Sequence, residues 1–244
     1  IQLQEVFLYE EEVMKLTKRL ETALAITPMS RTIADVGTDH GYLAVALVEM
    51  EKAHRVIAID VNEGPLQSAQ AYVEEQNMTM RVECRLGNGL TVTEKGEIDG
   101  AIMCGMGGFL MKNIIESGPE LLPYYVLQPQ NGRRELRQWL AKAGYGITDE
   151  RLVYEGRHFY DVWLVEKNQF ASSYYADVPL ASVQWEVGGL AGALGDPLWK
   201  AYVSYLITRR QRVLRALKSG AESAESAQKM VVVAGELEEL EEML

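Results

Sequence analysis

Between Arg31 and Lys167 five apolar runs recur at intervals too long for hairpins: TIADVG (32–37), RVIAID (55–60), VECRL (82–86), DGAIMCG (99–105) and YYVLQPQ (124–130). Apolar residues at helical spacing fill most of the gaps. Such alternation predicts parallel strands with a helix crossing back between each pair. Two more runs, ERLVYEG (150–156) and FYDVWLVEK (159–167), are parted only by Arg157 and His158. A link so short demands an antiparallel hairpin, because a parallel crossover takes a dozen residues or more. The expected fold is α/β: a Rossmann-like, doubly wound, seven-stranded sheet, mostly parallel, with one antiparallel strand near its edge.

The flanks read differently. Lys15 to Ile26 has Leu16, Leu20, Ala23 and Leu24 on one helical face. Residues 1–13 precede Met14, which opens MKLTKRL in the manner of a natural start, so they read as an upstream extension. After Lys167, Ser172 to Tyr175 lead through Gly188, Gly189, Gly192 and Gly195 to Pro197. Helical patterns then run from Leu198 to Lys218 and from about Glu222 to Met243, with Ser219 and Gly220 between them. Two long helices joined by so brief a turn form a hairpin, coiled-coil-like in character. The expected domains are 14–167, the sheet, and 168–244, the helical part.

Charge narrows the function classes. With 24 basic against 35 acidic residues the net charge is -11, which excludes a protein that grips nucleic acid with its whole surface. Local basic clusters remain at Arg133, Arg134 and Arg137, and at Arg209, Arg210, Arg212, Arg215 and Lys218. No apolar run approaches the roughly 20 residues that span a bilayer, and no charged-then-apolar leader opens the chain, so a cytoplasmic protein without a membrane partner is expected. Cys84 and Cys104 each sit inside a strand run with no thiol or histidine at ligand spacing. Structural thiols, with neither disulfide nor metal, are the expectation.

The first strand ends in ADVGTDHGYL (34–43). Its spacing, Asp35, Gly37, Asp39, Gly41, is not the glycine pattern that cradles a pyrophosphate, since Thr38 and Asp39 fill the middle and an added carboxylate would repel a phosphate. A cationic ligand fits better, and the pattern resembles the turn that binds S-adenosylmethionine in Rossmann-like methyltransferases. Asp35 would orient the amino-acid moiety, while Gly37, Thr38, Gly41 and Tyr42 shape the turn around it. Two other strand ends agree. Asp60, followed by Val61, closes the second strand where a carboxylate can take both ribose hydroxyls, and Asn88 with Gly89 in LGNGL offers an amide to the adenine ring. At the end of the fourth strand, Gly105 and Met106 open GMGG, whose bare glycines make space for a planar methyl acceptor.

These stretches together, DVGTDHGYL, IDVNEGPLQSA, NGL, GMGG and LQPQN, resemble the bacterial tRNA (adenine-22-N1)-methyltransferases, the TrmK family. The resemblance runs from about Met14, where KLTKRLE is similar to the family's opening helix, through Lys167. It implies S-adenosylmethionine as cofactor, tRNA as partner, an adenine of the D-loop region as acceptor and N1 as the methylated atom. Asp39 and His40 are the preferred polar groups near that acceptor, Asp39 either accepting from the exocyclic amine or capping the helix near Gly41. Gln128 and Asn131 can pair with a base edge. The arginines after them either meet phosphates or lie on an ordinary helix face, and Tyr42 is a candidate shelf for the base. Two rival readings share the pocket: an S-adenosylmethionine-dependent RNA-binding module without catalysis, and a small-molecule methyltransferase. The sequence sets no oligomeric state.

Overall fold

The computed structural model describes residues 16–219 and 223–244; the expectations for residues 1–13, Met14, Lys15, Gly220 and Glu222 lie outside them. One seven-stranded sheet runs in the order β3-β2-β1-β4-β5-β7-β6. Its strands are β1 (Ser30–Val36), β2 (Ala53–Asp60), β3 (Val82–Leu86), β4 (Gly100–Met106), β5 (Tyr124–Pro129), β6 (Tyr145–Glu155) and β7 (His158–Lys167). The first five pair in parallel, and β7 runs antiparallel to both of its neighbours. The reversed strand is thus the one that the short 156–157 link requires. Gly156 and Arg157 both adopt positive φ, 56° and 69°, the two-residue turn whose twist matches that of the flanking strands. β6 starts at Tyr145, before the apolar run at 150–156, because a register shift between Ile147 and Asp149 breaks the alternation that makes a strand legible.

Alternate residues of each inner strand face opposite layers, so both faces are buried. Ile33, Val56, Ala58, Ile102 and Val126 meet α1 (Lys18–Ile26), α2 (Tyr42–Glu49) and α3 (Glu63–Glu75). Their neighbours Ala34, Ile57, Ala101, Met103 and Leu127 meet α4 (Gly108–Ser117) and α5 (Arg133–Lys142).

The segment after β7 joins this second layer. Two single 3-10 turns and the short helices α6 (Gln184–Val187) and α7 (Gly189–Ala193) bring Tyr175, Trp185 and Leu190 into the core of the sheet. Beneath them lies a buried ion cluster. Arg137 donates to Glu150 at 2.6 Å and Asp161 at 2.5 Å, and to the carbonyls of Trp185 and Glu186 at 2.9 and 3.0 Å. Its guanidinium lies 4.0 Å from the Trp163 ring centre. Burial pushes the Glu150 carboxyl upward, with Arg137 opposing. Gly188, at φ +86°, closes over the cluster; a Cβ there would stand 2.8 Å from Glu150 Oε1 and 2.9 Å from Arg137 Nη2. This contact explains a glycine in the stretch that composition alone left without a role.

The cluster also corrects the phosphate-binding alternative for the arginines of α5. Arg137 is fully buried, Arg133 pairs with Asp161 at 2.7 Å, and Arg134 donates to the Ala181 carbonyl at 3.2 Å. Arg133 and Arg137 are thus committed to the protein's own acceptors, and Arg134 spends one N–H on them. Helices α8 (Trp199–Ser219) and α9 (Ala224–Glu242) form the expected hairpin. Leu152, Val183, Val187, Tyr202, Leu206 and Leu240 tie its base to β6 and α6. Arg210 is held by Glu186 and Glu236 at 3.0 and 2.7 Å, whereas Arg209, Arg212, Arg215 and Lys218 are exposed. Among the described residues no helix is long and apolar enough to cross a membrane, and no three His, Cys, Asp or Glu side chains gather as a metal site.

Candidate active site

Strand order reverses between β1 and β4, and in a doubly wound sheet the ligand crevice opens at that point, beyond the carboxyl ends of the strands. A cavity of about 280 Å³ lies there, bounded by the 37–41 loop, the ends of β4 and β5, and the start of α1. The loop owes its path to three left-handed residues, Gly37, Asp39 and Gly41, at φ 75°, 54° and 76°. Gly37 and Thr38 N–H both donate to the Ile59 carbonyl, at 2.8 and 3.1 Å, which pins the loop to β2. A Cβ on Gly37 would stand 2.2 Å from Met106 Cε, so the Met106 side chain rests on the loop where position 37 is bare.

Asp35 lies at the floor, 4% exposed, accepting from the Thr38 hydroxyl at 2.7 Å. Burial raises its carboxyl to about 6, the Thr38 hydroxyl pulls it back and the nearby Asp60 adds to the rise. Asp60 accepts from Asn62 N–H at 2.9 Å and faces Asp39 N–H at 3.4 Å, linking the end of β2 to the first loop. Gly87 N–H donates to the Asp60 carbonyl at 2.9 Å, which carries exposed Asn88 onto the same rim. Gly89 is buried behind it against Ile114, and Val61 is 62% exposed beside Asp60.

On the other side, two glycine-bearing turns are laced together. Gly108 N–H donates to the Asn131 carbonyl at 2.9 Å, and Gln130 N–H to the Met106 carbonyl at 2.8 Å. A Cβ on Gly107 would approach the Asn131 amide oxygen to 2.9 Å. Gln128 is fully buried: its Oε1 accepts from Gly105 N–H at 3.1 Å and from Arg19 Nη1 at 3.3 Å, and its Nε2 donates to the Pro129 carbonyl at 3.2 Å. Asn131 is exposed.

Asp39 and His40 stand at the mouth, their carboxylate and Nε2 3.6 Å apart and side chains 71% and 50% exposed. Helix α2 begins after Gly41 with no side-chain cap, so the capping alternative for Asp39 falls away and its carboxylate is open. The His40 ring stacks 5.4 Å from Tyr42, which in turn packs edge-on against Tyr72 at 4.8 Å.

Thus Asp35, Gly37, Thr38, Asp39, His40, Tyr42, Gly105 and Gln128 line one cavity. Gly41 is the N-cap of α2 behind the loop; Asp60, Val61, Asn88, Gly89, Met106 and Asn131 are not among the residues that line the cavity. Reading the residues in sequence missed Arg19, Leu20 and Cys104, which line the cavity, and Glu155 and Tyr160, which hold Arg19. Arg19 sits inside KLTKRLE, where its charge looks like that of any solvated helix face. Burial pushes the Cys104 thiol up to about 12, which leaves it a neutral wall of the pocket.

Residues 16–163 match the family model described as a methyltransferase domain. The chain is 30% identical over 234 residues, 95% of its own length and 98% of the relative's, to the tRNA (adenine(22)-N(1))-methyltransferase of Bacillus subtilis. The crystal structure of the B. subtilis m1A22 tRNA methyltransferase TrmK superposes with a TM-score of 0.84 at 30% identity, covering 94% of this chain and 98% of that one. A Streptococcus pneumoniae structure, in complex with S-adenosyl-L-methionine, gives 0.78 at 28% identity, with 94% and 100% covered. With these matches, the sheet order and the carboxylate-floored crevice all in agreement, the chain belongs to the family of bacterial tRNA (adenine-22-N1)-methyltransferases, the TrmK family.

Proposed function

We propose that this protein transfers a methyl group from S-adenosylmethionine to N1 of adenine 22 in the D-loop region of tRNA. The observation that carries the reading is the carboxylate of Asp35 buried at the switch point and facing a cavity that also holds Asp39. A floor of acids suits a ligand with an amine and a sulfonium and would repel a dinucleotide's pyrophosphate. Asp60, tied to the first loop through Asp39 N–H, would take the ribose hydroxyls, and Asn88 on the same rim would offer its amide to the adenine ring. When bound, the cofactor supplies the methyl group and its electron-poor carbon.

The chain's own residues supply placement. Adenine N1 carries an in-plane lone pair, so no proton need be removed before attack. Fixing donor and acceptor in line can contribute on the order of 7–11 kcal/mol. The laced GMGG and QPQN turns would set the acceptor's plane, Asn131 offering its amide to the base edge. Gln128, fully engaged beneath them, would hold the turns in place. Asp39, open at the mouth, would accept from the exocyclic amine and stabilise the cationic product; His40 beside it would meet base or phosphate. The sheet unit, 14–167, would carry the chemistry, and the exposed basic side of α8 in the 168–244 part would hold the RNA.

Transfer of a labelled methyl group to bacterial tRNA lacking this modification, followed by mapping of the modified nucleotide, tests the reading: label must appear as N1-methyladenine at position 22. In the same assay Asp39→Ala is expected to lower kcat by about 10²–10³-fold, as the loss of a group aimed at developing charge does. S-adenosylmethionine affinity should stay within about threefold. Unchanged turnover would remove Asp39 from the mechanism.

Gly108→Ala probes the acceptor side without touching an ionisable group. A Cβ there would meet the Gly132 carbonyl oxygen at 2.6 Å and that of Asn131 at 2.9 Å, backbone atoms that cannot rotate away. The variant is expected to lose about 10²-fold in kcat/KM for tRNA through displaced geometry. Calorimetric S-adenosylmethionine binding should be little changed, and an equal loss on both sides would show that the two turns do not divide the site.

A further inference from the structure

We infer that Phe109, in the first turn of α4, is an apolar wedge that enters the base stack of the tRNA as the target adenine leaves it; the inference rests on the methyl-transfer reading above and adds a residue to its acceptor side. Adenine N1 lies on the pairing edge, so a base that is paired and stacked must be swung out before its lone pair can meet the methyl group. That motion opens a gap between the neighbouring bases. An apolar side chain pushed into the gap replaces the stacking that was lost.

Core packing does not account for the ring. The buried residues of α4 are Gly108, Met111, Ile114 and Ile115, whereas Phe109 is 60% and Leu110 50% exposed. Single exposed apolar residues are ordinary on a protein surface. These two are consecutive, and they directly follow GMGG at the end of the strand whose Cys104 and Gly105 line the cavity.

The ring is also held. A Cβ on Gly132 would stand 3.3 Å from Phe109 Cδ2 and 3.4 Å from Cε2, so the ring rests on the bare backbone of the QPQNG turn, where Gly132 takes a left-handed φ of 63°. Its support is the pair of laced turns that would set the acceptor's plane. Phe109 is not among the residues that line the cavity, whereas Tyr42 is. An adenine seated in the cavity therefore has Tyr42 as its shelf and leaves the Phe109 ring to the bases on either side of the vacated position. Every base has a face on which an aromatic ring can stack, so such a wedge acts without reading sequence.

Methyl transfer to two tRNAs isolates the claim: one with a uridine opposite the target adenine, which makes a full pair, and one in which that opposite nucleotide is abasic, so that no pair has to be broken. At saturating tRNA, Phe109→Ala is expected to lower kcat on the paired tRNA by about 10–100-fold, the loss of one aromatic stacking contact. On the opened tRNA the adenine is free to leave the stack without help, and kcat should stay within about threefold of the parent protein. Phe109→Trp, which keeps an aromatic face, should stay within about threefold on both. Calorimetric S-adenosylmethionine affinity should be the same within about twofold in all three proteins, since the ring stands outside the cavity. Equal losses on both tRNAs would make Phe109 a structural support of the turns and overturn the proposal, as would no loss on either, or a parent protein that methylates only one of them. Failure of the parent protein to methylate either tRNA would instead bring down the methyl-transfer reading itself, and this inference with it.

Discussion

Arg137→Met is expected to destabilise the protein by about 3–5 kcal/mol, the effect seen when one partner of a buried ion pair is removed and the other is left without its counter-charge. The side chains of Arg137 and Glu150 are wholly buried and that of Asp161 nearly so, and the guanidinium also satisfies two backbone carbonyls of the 185–186 segment. In a chain of this size each kcal/mol moves the melting temperature by roughly 2–4 °C, so a drop of about 6–20 °C should appear in a thermal melt. Adding Glu150→Gln removes the one of the two acids for which Arg137 is the sole ion-pair partner among the described residues, whereas Asp161 keeps Arg133 at 2.7 Å. The double variant should therefore recover part of the loss. A single variant that melts within about 2 °C of the parent would show that water or rearrangement compensates, and that the cluster does not fasten the 170–193 segment to the sheet.

This cluster also shows where reading residues in order stops. The strands and the reversed one among them were legible because apolar runs, their lengths and the two-residue link at 156–157 are local properties. So were Asp35, Asp60 and Asn88, each placed by its position at a strand end. Arg133, Arg134 and Arg137 were not legible in the same way. Their charges look outward-facing in one dimension, and only pairing of β6 with β7 reveals that Glu150 and Asp161 wait on the inner side. Gly188 has its reason in the same two side chains, Arg137 and Glu150, many residues upstream. Arg19 is the converse case: an apparently ordinary helix-face cation that the fold turns into a pocket wall, through Glu155 and Tyr160 from the far end of the sheet. Gln128 was found by its place after β5, but its amide is spent on Gly105, Arg19 and Pro129, which strand-end position alone does not reveal.

Asp35→Asn should change stability and binding in opposite directions. The carboxyl rises from 3.8 to about 6 on folding, mainly through burial, which corresponds to roughly 3 kcal/mol held against the ionised form. The sign follows from the direction of the rise. Below about pH 3.8 the group is protonated in both states and costs nothing; between 3.8 and 6 the unfolded chain sheds its proton first, so stability falls as pH rises; above 6 the full penalty applies. The amide has no such penalty and can still accept from the Thr38 hydroxyl. Ligand-free Asp35→Asn should accordingly melt higher than the parent at neutral pH, by up to about 3 kcal/mol, and lose that advantage at pH 4. Binding runs the other way, because the cofactor's amine stabilises the charged carboxylate and loses its partner in the variant. S-adenosylmethionine affinity should drop at least about 100-fold. In the parent protein that affinity should weaken as pH falls below 6, by up to tenfold per pH unit as the carboxylate takes up a proton, and the variant should lack this dependence. Comparing the two proteins at matched pH isolates Asp35, because they share every other group. A variant that binds S-adenosylmethionine as tightly as the parent would mean that the buried acid at the switch point does not meet the cofactor, and the site would lose the feature on which its chemistry was built.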